Sequence, residues 1–280
     1  MVTLPIESAI PELRRALAEG HHALLTAPPG AGKTTVVPLA LLNEPWLQGR
    51  RIIMLEPRRL AARAAAHRMA STLGEAVGET VGYRIRFDTK IGAKTRIEVV
   101  TEGILTRLLQ HDPSLSGYGL VIFDEFHERS LHADLGLALT LDAQRALRHD
   151  LRILVMSATL DCVAVSDLLG GAPVISSEGR LFPVDTHYMD RPVTEPLDQA
   201  IVQQIKKTLA LEPGSLLVFL PGMAEIRRVE RRLLESALAR ISGLPRCMAT
   251  CRNRRRMSPL RPRCPAPARS CWPRRSRKRA

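Results

Sequence analysis

No apolar run in this 280-residue chain approaches the roughly 18 residues that a membrane-spanning helix needs. The N-terminus has neither the basic start nor the apolar stretch of a secretory leader. Together these absences lead to the expectation of a cytoplasmic protein with no membrane partner. Cysteine is almost missing from the body of the chain. Of five, only Cys162 precedes residue 246, and Cys247, Cys251, Cys264 and Cys271 are spaced with three and six residues between the members of each pair, which fits neither a zinc ribbon nor a redox motif. Acidic residues are absent from residue 246 onward. That segment holds 13 of the 41 Lys and Arg, so the 28 that remain before it balance the 28 Asp and Glu, and the net charge of +13 belongs to the tail alone. Net charge therefore carries no argument about a polyanionic partner, which must be argued from particular residues.

The body has ample material for a core, with hydrophobic residues making up 45% of the chain. Its first 180 residues alternate helical and strand patterns with short breaks, the signature of a parallel sheet covered on both faces. The pattern predicts a helix over 10–18, a strand at 23–25, a helix from Lys33, a strand at 52–55 and a helix over 60–69. Further strands are expected near 81–83, at 97–100, at 120–123 and at 153–156, with helices over 104–109 and 132–147. After a break near 179–191, a helix over 197–209, a strand over 216–220 and a charged helix over 224–239 begin a second α/β unit. One strand has no sheet in which to bury itself, so this unit is expected to be incomplete. The resulting division is 1–180, 181–245 and a basic tail over 246–280.

Two segments carry chemistry. The run Ala27-Pro28-Pro29-Gly30-Ala31-Gly32-Lys33-Thr34-Thr35 follows an apolar strand and opens a helix. A small-residue loop in that setting aims backbone N–H groups at phosphates, with the lysine reaching the terminal phosphates and the threonine hydroxyl a magnesium ion. Gly30 and Gly32 let the backbone come close. The second segment, Leu120-Val121-Ile122-Phe123-Asp124-Glu125-Phe126-His127, is a buried strand delivering two carboxylates at its C-terminal end, where α/β sheets place their ligands. An Asp-Glu pair at a strand end also reads as a strand meeting solvent. The phosphate loop upstream favours the other reading, in which Asp124 holds the metal and Glu125 activates water.

Further blocks follow in a fixed order: Glu56-Pro57-Arg58-Arg59-Leu60-Ala61-Ala62, Val81-Gly82-Tyr83-Arg84-Ile85-Arg86, Thr101-Glu102-Gly103-Ile104-Leu105, Glu128-Arg129-Ser130 directly after the carboxylates, Ser157-Ala158-Thr159, and Leu217-Val218-Phe219-Leu220-Pro221-Gly222. This succession resembles superfamily 2 helicases of the DEAH/DExH-box kind, most closely the bacterial HrpB type, over roughly residues 6–244. Phe126 stands where the commonest form of the box has alanine. The resemblance implies an α/β fold, with a RecA-like P-loop NTPase parallel sheet and helices on both faces, followed by the incomplete start of a second RecA-like domain. It implies ATP and Mg²⁺ as cofactors, with Lys33 and Thr34 on phosphate and metal, Asp124 on Mg²⁺ and Glu125 as the base. It implies that His127, Ser157, Ala158 and Thr159 couple the nucleotide site to nucleic acid. Pro57, Arg58, Arg59, Thr101, Glu102 and Gly103 resemble contacts to the phosphate backbone of a single strand, more often RNA, and such contacts do not read sequence. For Arg58 and Arg59 a solvated helix start is the bland alternative, although arginine there opposes the helix dipole.

The same resemblance exposes what the 280 residues do not contain. Neither a threonine-containing coupling block nor a Gln-Arg-x-Gly-Arg arginine-finger motif follows Gly222, and a missing finger costs on the order of 10³ to 10⁵ in turnover. The chain is thus expected to bind ATP and to hydrolyse it slowly. The tail, rich in Arg, Pro, Ala, Ser and Cys, does not have the composition of a packed core. Moved by one nucleotide, the codons of 247–252 can read Leu-Tyr-Gly-Asp-Leu-Pro and those of 270–280 VVLATSIAETS, so a frame-shifted tail is expected, with a genuine Arg-rich nucleic-acid-binding tail and a disordered extension without function as the rival readings. Two alternatives stay open for the whole: a non-enzymatic ATP-dependent RNA-binding module, and a phosphate-loop kinase for which the Ser-Ala-Thr and Thr-Glu-Gly blocks have no use.

Overall fold

A computed structural model describes residues 4–158, 163–179, 184–189, 195–212 and 215–235. The chain divides into two compact units, Met1–Arg180 and Leu181–Ala280.

The first unit is built on one eight-stranded sheet. Its strands are β1 (His22–Thr26), β2 (Arg51–Leu55), β3 (Val81–Ile85), β4 (Asp88–Lys90), β5 (Ile97–Val100), β6 (Tyr118–Phe123), β7 (Arg152–Ser157) and β8 (Val174–Ser176), in the spatial order β4-β3-β5-β2-β6-β7-β1-β8. All pairings are parallel except the β3–β4 hairpin. Parallel strands need crossovers, and the helices that supply them cover both faces. The fold is thus the α/β architecture that the alternating pattern predicts, a mostly parallel sheet with helices on both faces.

Among the described residues this unit has six α-helices: α1 (Ile10–Glu19), α2 (Lys33–Leu41), α3 (Arg59–Thr72), α4 (Glu102–His111), α5 (Leu131–Leu147) and α6 (Val163–Leu168). Side chains alternate across a strand, so a central strand buried on both faces feeds two cores. Along β2, Ile52 and Met54 join a cluster with Leu13 and Leu17 of α1, Val37 of α2 and Met69 of α3. Their neighbours Ile53 and Leu55 join the opposite cluster with Leu105 of α4 and Leu137 and Leu141 of α5. Strand β6 divides likewise, with Leu120 and Ile122 on one side and Val121 and Phe123 on the other. Continuous apolar runs are what such strands require. The short polar β4 and the three-residue β8 carry no such run, which is why only tertiary pairing marks them.

The second unit contains α7 (Leu197–Leu211) and α8 (Met223–Glu235), joined by a small cluster of Val202, Ile205, Val229 and Leu233. Arg232 Nε donates to Asp198 Oδ2 at 2.5 Å and links the two helices. The strand expected over 216–220 is not formed. Those residues are described without strand pairing, and Leu217 and Phe219 are 61% and 86% exposed. The physical reason is that a strand gains its hydrogen bonds from neighbours, and the described residues of this unit supply no sheet for it to join. Residues 236–239 of the expected charged helix, and the whole of 246–280, lie outside the described residues.

Candidate nucleotide and nucleic-acid site

Strand order decides which blocks meet. Reading along the C-terminal edge of the sheet, β5 runs into Thr101, β2 into Glu56, β6 into Asp124, β7 from Ser157 into Ala158 and β1 into the phosphate loop. Segments scattered over 130 residues of sequence therefore form one row, with the carboxylate pair at its centre. Ladder bonds hold the row together beyond the strand ends: Glu56 N–H donates to Val100 O at 2.9 Å, Asp124 N–H to Leu55 O at 2.9 Å, and Ala27 N–H to Ser157 O at 3.1 Å.

The phosphate loop has the backbone that its glycines permit. Gly30 and Gly32 have φ of 82° and 102°, a region that side chains disfavour. Gly32 is the N-cap of α2, and a Cβ there would stand 2.9 Å from Leu4 Cδ1, so the position is closed by space as well as by conformation. Ala31 N–H bonds to Pro28 O at 3.2 Å and closes the loop, while Val36 N–H reaches Gly32 O at 2.9 Å and starts the helix. Ala27 and Ala31 are buried beneath the loop, and Pro29 and Gly30 face solvent. Thr34 and Thr35 follow Lys33 in the first turn of α2, half-buried.

Lys33 is 4% exposed, and a buried ammonium requires a partner. That partner is Glu125, whose Oε1 lies 2.9 Å from Lys33 Nζ. Glu125 adopts a left-handed backbone, φ 50°, and initiates the short 3₁₀ turn Phe126–Glu128. Non-glycine residues held in this region are strained and concentrate at functional sites. Its N–H donates to Asp124 Oδ1 at 2.8 Å. Phe126, where alanine is the common choice, is buried edge-on against Phe123 with ring centroids 6.1 Å apart.

Asp124 is 2% exposed, and its Oδ2 is buried with no hydrogen-bond partner. Burial pushes its carboxyl up to about 6, the Thr34 hydroxyl pulls it back, and Glu125 raises it further. An orphaned, water-shielded carboxylate oxygen beside a threonine hydroxyl is a donor set suited to a hard divalent cation. A third acid lies alongside. Glu56 is 3% exposed, and burial first, then the charges of Asp124 and Glu125, push its carboxyl up to about 8. Sequence reasoning passed over Glu56 within its own block. The signal available was an acid at the end of an otherwise apolar strand; its neighbourhood with the carboxylate strand is given by the sheet alone.

The segment 125–130 touches four of the other predicted blocks: the phosphate loop, 56–62, 101–105 and 157–159. On the nucleotide side, Glu125 binds Lys33, and His127 Nδ1 accepts from Ala158 N–H at 3.1 Å. Because Nδ1 is the acceptor of that bond, its 3.4 Å approach to Glu125 Oε2 is proximity and not a second hydrogen bond. On the other side, Arg58 Nη2 lies 2.9 Å from Glu128 Oε1, and Ser130 Oγ donates to Glu102 Oε1 at 2.5 Å while capping α5 through Ala133 N–H. Pro57 is half-buried, Arg58 and Arg59 are exposed, and Thr101 N-caps α4 ahead of Glu102 and the exposed Gly103. Ser157 is buried at the end of β7, and Thr159 lies outside the described residues.

A family model for DEAD/DEAH box helicases matches residues 7–168. The chain belongs to this family. It is 50% identical over 233 residues to the ATP-dependent RNA helicase HrpB of Escherichia coli (strain K12), a match covering 83% of this chain and 29% of that relative. It is 35% identical over 238 residues to a putative pre-mRNA-splicing factor ATP-dependent RNA helicase of Schizosaccharomyces pombe (strain 972 / ATCC 24843), covering 84% and 37%. The crystal structure of Escherichia coli DEAH/RHA helicase HrpB superposes with a TM-score of 0.77 at 53% identity, covering 83% of this chain and 30% of that one. The chain thus spans about a third of the length of these helicases. Among the described residues no helix is long and apolar enough to cross a membrane.

Proposed function

We propose that this chain is the ATP-binding portion of an ATP-dependent RNA helicase of the HrpB type, coupling nucleotide binding and hydrolysis to a single-stranded nucleic acid, with RNA favoured over DNA by the names of its relatives. The observation that carries the reading is the 2.9 Å contact between Lys33 and Glu125. It brings the cation of the phosphate loop and the base of the carboxylate pair to one point, on the row of strand ends that also carries Arg58 and Ala158.

Thr34 and Asp124 would hold Mg²⁺, and the partnerless Asp124 Oδ2 supports that assignment. When bound, Mg²⁺ supplies positive charge that offsets the negative charge on the phosphates. Residues 27–35 supply backbone N–H groups and a helix N-terminus for the phosphates. Lys33 places an ammonium against the terminal phosphate. Glu125, released from Lys33 by that phosphate, takes the proton of the attacking water at its carboxylate. While Lys33 holds Glu125, the base is occupied, so the pair ties activation of water to arrival of the nucleotide. His127, Ser157, Ala158 and Thr159 carry the change to Pro57, Arg58, Arg59, Thr101, Glu102 and Gly103, which face the nucleic-acid backbone.

Residues 1–180 constitute the first RecA-like domain in this reading, 181–245 the start of a second, and 246–280 a tail translated out of frame. The location is the cytoplasm. Turnover by these 280 residues alone is slow, because no arginine-finger motif is among them. Binding of a fluorescent ATP analogue, with and without Mg²⁺, tests the reading. Lys33→Ala is expected to weaken it at least tenfold, and Glu125→Gln to preserve binding while abolishing the residual RNA-stimulated hydrolysis. Nucleotide binding indifferent to Lys33 would overturn the assignment.

A further inference from the structure

Two carboxylates of one short turn are engaged with two cations that the proposed function assigns to two different polyanions. Glu125 is on Lys33, and three residues later Glu128 is on Arg58. The second pair is fork-shaped: Arg58 Nη2 lies 2.9 Å from Glu128 Oε1, and Nε donates to Oε2 at 3.3 Å. A guanidinium meets a phosphate through the same two parallel N–H groups, so Glu128 presents to Arg58 the geometry that a backbone phosphate would present. The Arg58 side chain is 72% exposed and the Glu128 side chain 32%, so the pair sits where a strand of nucleic acid can reach it.

We infer that Glu128 is an internal competitor for the nucleic-acid strand, occupying Arg58 in the ligand-free protein and displaced from it when a phosphate binds. This rests on the reading of Arg58 as a backbone contact. The consequence is a mechanical link within one turn. Displacement of Glu128 frees the C-terminal end of the Phe126–Glu128 turn, whose N-terminal end is Glu125 on Lys33 and whose centre is His127 on Ala158. Nucleic acid acts on one end of the turn and nucleotide on the other. Arg129, next in sequence, pairs instead with Asp134 at 3.1 Å, so Arg58 is the cation to which the turn is tied on this side.

The size of the effect follows from exposure. Solvent-exposed pairs are worth up to about 1 kcal/mol, equivalent to about a fivefold change in an equilibrium. Removing the competitor is therefore expected to tighten binding of a fluorescent twelve-nucleotide oligouridylate by about two- to fivefold in low salt. Arg58 meets the phosphate in both forms, so the slope of log affinity against log salt is expected to change by less than the about 0.7 that one added phosphate contact would bring.

The experiment titrates that oligonucleotide against the full chain in four forms: unaltered, Glu128→Gln, Arg58→Ala, and both together. Tighter binding by Glu128→Gln that disappears on the Arg58→Ala background establishes the competition. A gain of equal size on both backgrounds is a general charge effect and overturns it. Arg58→Ala weakening binding while Glu128→Gln leaves it unchanged overturns the competition and leaves the backbone-contact reading standing. If Arg58→Ala binds as tightly as the unaltered chain, the contact reading and the inference fall together. Both side chains lie at the surface, and coincident melting curves of the four forms exclude misfolding as the cause of any difference.

Discussion

Ala158 N–H donates to His127 Nδ1 across 3.1 Å, so the end of β7 is hydrogen-bonded to the turn that carries Glu125. A backbone N–H aimed at Nδ1 fixes that nitrogen as an acceptor, which leaves Nε2 as the protonated nitrogen of the neutral ring. The bond links the carboxylate block to the Ser-Ala-Thr block through a side chain, and its loss need not disturb the phosphate loop. His127→Ala is accordingly expected to keep ATP affinity within about twofold while removing one hydrogen bond, about 1 kcal/mol, from the coupling. The measurement is RNA stimulation of hydrolysis at saturating ATP. Equal loss of ATP binding and stimulation would show that His127 acts on the nucleotide site directly.

Glu56 sets a pH dependence of opposite sign to that of a salt-bridged acid. Its folded carboxyl titrates at about 8 against an unperturbed value of 4.5. Between those limits the folded state holds a proton that the unfolded state has released, so the unfolded state binds fewer protons and stability falls as pH rises. The contribution is complete below about 4.5, declines through 8 and is constant above. Glu56→Gln keeps an amide acceptor of similar shape and cannot ionise. It is expected to flatten the pH dependence of denaturant midpoint between 5 and 8 and to stabilise the chain at pH 8 by on the order of a few kcal/mol. Parallel curves for variant and parent would mean that Glu56 stays charged inside the protein.

Much of the site was legible in the sequence because its residues obey local rules. The phosphate loop is a strand, a glycine-containing turn and a helix in immediate succession, and each part signals itself. Lys33, Asp124 and Glu125 could be named without knowing what lies beside them. Their contacts could not. That Glu128 meets Arg58 across 70 residues of sequence, or Ser130 meets Glu102 across 28, follows from β5, β2 and β6 being neighbours in the sheet, and strand order is not written in any one segment. Glu56 was hidden for the same reason: its character comes from Asp124 one strand away. The expected strand over 216–220 illustrates the converse. Its apolar run satisfies the pattern for a buried strand, but pattern cannot supply the neighbouring strands that would complete its hydrogen bonds.

Gly32 tests the conformation of the phosphate loop independently of its chemistry. At φ 102° a side chain is strained, and the added Cβ would sit 2.9 Å from Leu4 Cδ1 and 3.2 Å from Ile6 Cγ2. Gly32→Ala therefore meets both backbone strain, about 1 to 3 kcal/mol, and a clash with the residues leading into α1. The expected outcome is a lowered melting temperature together with weakened ATP binding. Gly103, exposed and with nothing near its missing Cβ, is the control, and Gly103→Ala should melt as the parent does.

Asp124 predicts how nucleotide binding responds to acid and to loss of metal. Its carboxyl titrates at about 6, raised by burial, and only the ionised form offers charge to a divalent cation through Oδ2. Mg²⁺-dependent binding of ATP is therefore expected to be at full strength near pH 7.5 and to fall tenfold for each unit of pH below about 6, as the proton competes for the same oxygen. Binding measured in a chelator should lack this pH dependence, because without the metal the proton has nothing to compete with at Asp124 Oδ2. Asp124→Asn removes the titration and should show in Mg²⁺ the weaker, pH-independent binding that the parent shows in chelator. Chelator-insensitive binding by the parent across the whole range would place the metal on other residues.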